Sequence, residues 1–526
     1  MEKIARIRSF FKNVRSRLTS GEWITLGVIM LSLIVGIWHA LPDTKVIGDE
    51  SPYVGGVLRS IASHTLVPHI DYAYTLSFYA NYVFMIVVLA VGYIGSGFDL
   101  TALTHWLTAN QHLLYLVPRG TSALSALAVA VFLLLLGKEE GRELRDRIVV
   151  VLLFFSTIVV TMVMHTGKMW TLSLLLVMAS VYFFAKALRE KKEYKRVRSS
   201  PVFWAIMFAF LAFANFPFNI ILLLEIPFLL WFFHDRVLRR TIVMSTLCGL
   251  LAFAVLFLVN KSGWVAQNSA TAPSGAPGVA TNIVYQLWTF AGLLPLLSIA
   301  LFLRIRRITN KPLFFFLLSV LVLYLTLLVL RAPWAASGFY RYAFYPAFLL
   351  SAMLMVTQPN TWKLELVLVP ISFVFFIKTL FLLSVPTTYN LARDWAVENL
   401  SSKDVYVVST IQEVSLPKNQ RSYALVTPLH CGSRCEAGKK EEFYPEFKYT
   451  VLDDETGNLK VETVSGAQDV YVISDTISQS TIPLAVFDNG LAAGYFSVDY
   501  RLGIYSPRLF GASRLGERLY VYKKTQ

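Results

Sequence analysis

The sequence predicts a polytopic α-helical membrane protein of about eleven transmembrane helices, or about thirteen on an alternative count, with a C-terminal exterior α/β domain. Three observations predict it. Of 526 residues, 56% are hydrophobic and 15% charged, whereas a soluble chain carries about a quarter charged residues, so the apolar surplus must face lipid. Runs of about the length that crosses a bilayer recur from Trp23 to Val385. After Val385 the composition becomes that of a soluble domain of about 140 residues, dividing the chain at residues 1–386 and 387–526.

The N-terminal stretch carries Lys3, Arg6, Arg8, Lys12, Arg15 and Arg17 ahead of the apolar run Trp23 to Leu41. Positive charge stays on the cytoplasmic side, which puts the N-terminus inside and the loop 42–119 outside. No small-residue cleavage site follows the run, so it reads as a span and not as a removable signal.

Later basic clusters fix the remaining turns. They are Lys138 to Arg147, Lys186 to Arg198, Arg236 to Arg240 and Arg304 to Lys311. Between them lie paired outward and return spans: Ile148 to Met164 with Thr171 to Ala187, Val202 to Phe216 with Phe218 to Phe233, and Thr241 to Val259 with Tyr285 to Leu303. Leu313 to Leu330 with Tyr342 to Val356, and a last outward span Leu364 to Val385, complete the set.

Counting back, Thr121 to Gly137 runs inward, and the loop before it begins and ends outside. The apolar run Tyr82 to Ile94 is then a surface or re-entrant helix, because His105, Asn110, Gln111 and His112 make the following segment costly in lipid. If it crosses instead, Leu100 to Val117 must return, which gives the larger count.

The formal charge is +15, yet residues 387–526 hold 15 Lys/Arg against 17 Asp/Glu. The excess belongs to the inner loops, where it reports orientation and contact with anionic lipid. No basic domain is left over for nucleic acid.

In the exterior region a helix, Asn390 to Asn399, leads into short β-rich runs at Val405 to Ser409, Tyr423 to Val426, Val470 to Ser474, Tyr495 to Tyr500 and Leu519 to Tyr522. Cys431 and Cys435 are its two cysteines, and a disulfide suits an oxidising exterior. A metal site with His430 is the alternative, although it lacks paired CxxC spacing.

The candidate chemistry gathers at Val46 to Tyr74. The stretch opens on adjacent carboxylates, Asp49 and Glu50, followed by a surface helix with Tyr53, Val57, Leu58 and Ile61 at helical spacing and Arg59, Ser60, Ser63 and His64 on the other side. The order of basic N-terminus, one span, and an outer loop opening with Asp-Glu resembles the membrane-embedded GT-C class of glycosyltransferases. The closest likeness is to the branch holding protein O-mannosyltransferases and the bacterial transferases that add aminoarabinose to lipid A.

Pro118 to Ala126 resembles that family's Arg-led second span, led here by Arg119. Leu211 to Pro217 resembles its helical hairpin, and Tyr340 to Pro346 its late Arg-Tyr motif. Asn390 and Asp404 begin segments similar to its entry into the exterior domain. The chain departs from the family at His165 to Trp170, where an acidic residue is usual, and at Asn215 or Phe216, where the family has lysine.

The resemblance implies a mannosyltransferase-like activity in the bacterial cytoplasmic membrane, using a polyprenyl-phosphate sugar donor and a lipid, polysaccharide or protein acceptor. Such a transfer needs a carboxylate to take the acceptor's proton and cations to hold the departing phosphate. Asp49 is the candidate base. Glu50 orients the acceptor or helps bind a divalent metal, the one cofactor considered. Arg341, flanked by Tyr342, is the candidate phosphate clamp, because a guanidinium grips phosphate in a bidentate way. Arg59, His64, His69, Asp71, Arg119, His165 and Lys168 are further exterior candidates for substrate binding, and a structural role is the first reading of His64, His69, Asp71, His165 and Lys168 taken singly. Glu225 is a carboxylate at membrane depth with Lys378 as its expected counter-ion. A transporter or lipid flippase is the alternative function, for which inverted repeats would be expected.

Overall fold

The computed structural model describes residues 18–41, 50–70, 72–168, 170–194, 197–269, 278–330, 342–358, 362–400, 405–409, 416, 450–453, 469–478, 481–491 and 507–524. It is a helical membrane protein. Six helices are long and apolar enough to cross: Thr75–Gly95, Leu113–Glu139, Trp170–Glu193, Arg236–Val259, Lys311–Leu330 and the stretch Val367–Asn399. Two bent pairs raise this to eight if each counts as one span.

This is fewer than the eleven expected, for a local reason. Four of the expected spans form shorter apolar helices, Ser20–Ile34, Ser199–Asn215, Pro217–Phe232 and Phe344–Met355. Two others do not run straight. Leu144–Phe155 and Ile158–Met164 meet at 72°, and Val279–Leu293 and Pro295–Arg304 at 85°. Pro295 causes the second bend, since it starts the new helix without an N–H to continue the old one. At the first, the Thr157 hydroxyl donates to the Leu153 carbonyl (2.8 Å) and Ser156 pairs with Ser372 (2.6 Å), which occupies the polar groups of the break.

Tyr82 to Ile94 belongs to the 21-residue helix Thr75–Gly95, long enough to cross. Leu100 to Val117 does not form a return span. It breaks into the helix Leu100–Ala109, a 3₁₀ turn Gln111–Tyr115, and the first residues of Leu116–Glu139. Asp99 caps the first of these by accepting from Thr101 N and Ala102 N. The run expected as a surface or re-entrant helix thus has the length of a crossing, as the larger count required, whereas the return that count also required is not a straight helix.

The surface helix is Ser51–Ala62. Tyr53, Val54 and Val57 are buried, and so is Ser60, expected on the polar side. The Ser60 hydroxyl turns back to the carbonyls of Gly56 and Val67 (3.1 and 2.9 Å), which satisfies it without water.

Glu225 and Lys378 do not pair. Glu225 accepts from the Ser180 hydroxyl at 2.8 Å, while Lys378 donates to the Ala512 carbonyl at 2.5 Å. Each found a nearer partner on a packed neighbour. Cys248 is a free, exposed cysteine. Cys431, Cys435 and His430 lie outside the described residues, as do the expected strands Tyr423 to Val426 and Tyr495 to Tyr500.

Beyond the last span, Thr387 caps the helix Thr388–Asn399 in a reciprocal box with Asn390. A five-stranded sheet follows, in the order β2 (Thr450–Asp453), β1 (Val405–Ser409), β3 (Asp469–Ser474), β5 (Leu519–Lys524), β4 (Ala485–Phe487). β1 runs parallel to β2 and β3, and β5 antiparallel to β3 and β4. Thr450–Asp453 and Ala485–Phe487 escaped the sequence reading, being four and three residues long.

Candidate active site

The helix Ser20–Ile34 gives way to a turn at Gly36, whose φ of +82° suits glycine. A Cβ there would stand 2.7 Å from the Leu383 side chain, so the turn must also be bare. Its effect is to aim the Ile37 and His39 carbonyls inward. Arg119 donates to both at 2.8 Å.

The same guanidinium grips Glu50. Nε lies 3.1 Å from both carboxylate oxygens and Nη2 lies 2.8 Å from Oε2. Both side chains are 1% exposed. A two-pronged pair in a buried setting is strong and geometrically specific, and removing either partner strands a charge.

Gly167 N also donates to Glu50 Oε1. A Cβ at Gly167 would be 2.9 Å from Pro118 and 3.3 Å from Glu50 Oε1, so only glycine lets this loop approach. The next residue, Lys168, accepts from the Ser122 hydroxyl through its carbonyl (3.0 Å) and sets its ammonium 4.5 Å from the Trp170 ring centre. His165 is buried between the Thr161 carbonyl (2.6 Å) and those of Ser32 and Val35 (3.0 Å each). Burial pushes its imidazole below the usual range, against the pull of those carbonyls.

Beyond Lys168 and Trp170, aromatic rings follow one another in a continuous chain of contacts. Tyr53, Tyr72 and Tyr74 lie within 6.4 Å of one another, centre to centre. Tyr74 meets Phe216 at 5.9 Å, and Phe216 stacks on Tyr345 at 5.6 Å. Phe218 reaches Tyr342 at 5.9 Å, and Trp170 contacts Tyr342 and Phe344 at 6.4 and 5.8 Å. Asn215 ties the hairpin to the outer loop by accepting from the Ser77 amide (2.9 Å) and hydroxyl (3.1 Å).

The structure thus joins Glu50, Arg119, His165, Lys168 and Tyr342, drawn from loops far apart in sequence. Arg59 and His64 are not part of this cluster. They sit at the far end of Ser51–Ala62, Arg59 roughly 13 Å along the axis from Glu50 at 1.5 Å per residue, donating to the His69 carbonyl at 3.0 Å. His64 and His69 are exposed. Asp49, Asp71 and Arg341 lie outside the described residues.

At Glu50, both carboxylate oxygens accept hydrogen bonds from Arg119 and Gly167. Among the described residues no three His, Cys, Asp or Glu side chains gather as metal ligands. Sequence reasoning missed Gly167, Trp170, Phe218 and the Tyr53–Tyr72–Tyr74 wall. The signal that could have found them is the density of aromatics at the outer ends of apolar runs.

No family model matches the sequence, and no curated protein matches it. Two solved structures are similar. One is ArnT from Cupriavidus metallidurans in the apo state, 13% identical over 73% of this chain and 66% of that one, with a TM-score of 0.41. The other is the same protein bound to undecaprenyl phosphate, 10% identical over 96% and 98% of the two chains, with a TM-score of 0.42. The sequence motifs resemble the same branch of the GT-C class.

Proposed function

We propose that this chain is a glycosyltransferase that moves a sugar from a polyprenyl-phosphate-linked donor to an acceptor hydroxyl at the outer face of a bacterial cytoplasmic membrane. The observation that carries the reading is the buried clamp of Arg119 and Gly167 on Glu50. Glu50 is committed through both carboxylate oxygens to the Arg119 guanidinium and the Gly167 amide. Of the two adjacent carboxylates, Glu50 is therefore the positioning residue, and Asp49 is the base.

In the reaction the acceptor oxygen attacks the anomeric carbon and the carbon–oxygen bond to phosphate breaks. The polyprenyl phosphate leaves with the bonding pair, and Asp49 takes the hydroxyl proton. Lys168 and Arg341 are the cations that meet the charge growing on the phosphate. The rings from Tyr53 to Trp170 offer flat apolar surface to the sugar face and the start of the isoprenoid chain. A sheet domain on the same side as the clamp is supported by the Asn390 amide, on the helix that leads into it, which donates to the Leu41 carbonyl (3.2 Å) beside the carbonyls that Arg119 holds.

The test is incubation of the purified protein with labelled polyprenyl-phosphate sugars and a membrane extract. Label should pass to an extract component. Absence of transfer from every donor would contradict the reading. Arg341→Lys separates clamp from anchor. The planar fork is lost and the charge kept, so donor affinity should fall at unchanged thermal stability, whereas a mere interfacial Arg tolerates Lys.

A further inference from the structure

The last span, Trp362–Ser384, is apolar on its free side, where Phe373, Val374, Ile377 and Phe381 are exposed. Its outer end is marked by Trp38, 49% exposed, whose indole donates to the Ser384 carbonyl at 3.4 Å. An exposed tryptophan at that level is what a membrane–water boundary favours. Residues beyond Ser384 turn polar, beginning with the capped helix Thr388–Asn399.

A segment from the C-terminal region packs along this span, from Thr388 just beyond that boundary down to Phe375. The Leu515 carbonyl accepts from Thr388 N (2.9 Å), the Ala512 carbonyl from Lys378 Nζ (2.5 Å), and the Phe510 ring lies 5.1 Å from that of Phe375. Phe375 precedes Ser384 by nine residues, which at 1.5 Å per residue is roughly 13 Å of depth, in a hydrocarbon core about 30 Å thick. Leu509, Ala512 and Leu515 are buried, whereas Phe510 is 44% exposed.

We propose that Leu509–Leu515 is a wedge seated in the outer leaflet against the last span, with Phe510 in contact with lipid hydrocarbon. Irregular backbone at membrane depth is tolerated only where protein satisfies its polar groups. Here it does so. Ala512 N donates to the Leu509 carbonyl (3.3 Å), Ser513 N to the Asn489 carbonyl (2.8 Å), and Lys378 and Thr388 serve the two carbonyls already named.

Lys378 explains itself in the same way. A lysine this far inside a span is costly in lipid, and the wedge supplies the carbonyl that its ammonium needs. The proposed occupant beside Phe510 is acyl chain, because an apolar ring 44% exposed and packed on Phe375 leaves uncovered hydrocarbon surface next to the span. The inference is independent of the proposed reaction.

The experiment places p-benzoylphenylalanine at Phe510, and separately at the exposed Ser513, in the full chain reconstituted in phospholipid vesicles. Irradiation is followed by mass spectrometry of lipid adducts. Ile377 serves as the lipid-facing control and Glu398, exposed on the polar helix, as the aqueous one. The wedge predicts acyl-chain adducts at 510 and 513 comparable in yield to those at 377, and their loss at 398. If 510 and 513 both behave like 398, the segment lies in water and the proposal is overturned.

Discussion

Buried arginine–carboxylate pairs stand at both ends of the helical bundle. At one end, Arg119 holds Glu50 and two turn carbonyls, and each of its partners belongs to a loop or helix entry. At the opposite end, Arg147 meets Glu22 at 3.2 Å and Arg304 meets Asp146 at 2.7 Å, while Arg142 donates to the Met355 carbonyl at 2.7 Å. Those partners are ends of spans. The same chemical device therefore pins helices at one face and gathers loops, aromatics and Lys168 at the other, which is why the face of the Glu50 clamp reads as a site and the opposite one as a lock.

The sharpest way to break this comparison is to remove one partner at each end. Glu50→Ala and Arg304→Met should each cost about 3–5 kcal/mol, because each strands a buried charge. Thermal unfolding in detergent measures that loss. Transfer per folded molecule should vanish for Glu50→Ala and persist for Arg304→Met. Equal loss of turnover in both would erase the distinction between site and lock.

A smaller effect is expected from Gly167→Ala, whose new methyl meets Pro118 and the Glu50 carboxylate. Overpacking of this kind costs about 1–3 kcal/mol. It should lower turnover by displacing Glu50, with the spans still inserted. Lys168→Met comes next, since it keeps the apolar stem against Trp170 and removes the charge. A lost charge-assisted hydrogen bond of about 1.5–3 kcal/mol would weaken donor binding by roughly tenfold or more, with little change in stability.

The least effect belongs to Glu140, a half-buried carboxylate beside Asn310. Burial raises the Glu140 carboxyl above its usual range, opposed by the Asn310 amide that donates to it at 2.9 Å. A raised acid holds its proton more tightly in the folded state, so it adds stability at low pH that is lost as pH rises. Glu140→Gln keeps the acceptor for Asn310 and drops the charge. It should be slightly more stable than the parent at neutral pH, and the gap should close in acid, as followed by unfolding across pH.

How much of this was legible in the sequence differs between the two faces. Asp49, Glu50, Arg119, His165 and Lys168 stood out singly, because polar groups next to long apolar runs are few. Their meeting was not legible, since Glu50 and Arg119 lie 69 residues apart and the bend between Phe155 and Ile158 had no strong breaker to announce it. Pro295 could have announced the second bend. At the opposite face, Arg142, Arg147 and Arg304 were read only as topogenic charge, a use in which position matters and partners do not. Glu22 and Asp146 were invisible for the same reason. Glu225 and Lys378 were matched as the two stray charges of the spans, yet hydroxyl and carbonyl partners lay nearer. Among the strands, β1, β3 and β5 showed their β-branched and aromatic runs, whereas β2 and β4 were too short to do so.

The central claim is that the outer carboxylates divide their labour, with Glu50 locked in place and Asp49 moving the proton. The direct test is turnover of Asp49→Asn beside Asp146→Asn, with purified variants, labelled donor and thermal stability in parallel. Asp49→Asn should stay folded and lose about a hundred- to ten-thousand-fold in transfer, the scale of a general base, while Asp146→Asn should turn over like wild type. Wild-type turnover by Asp49→Asn would contradict the account.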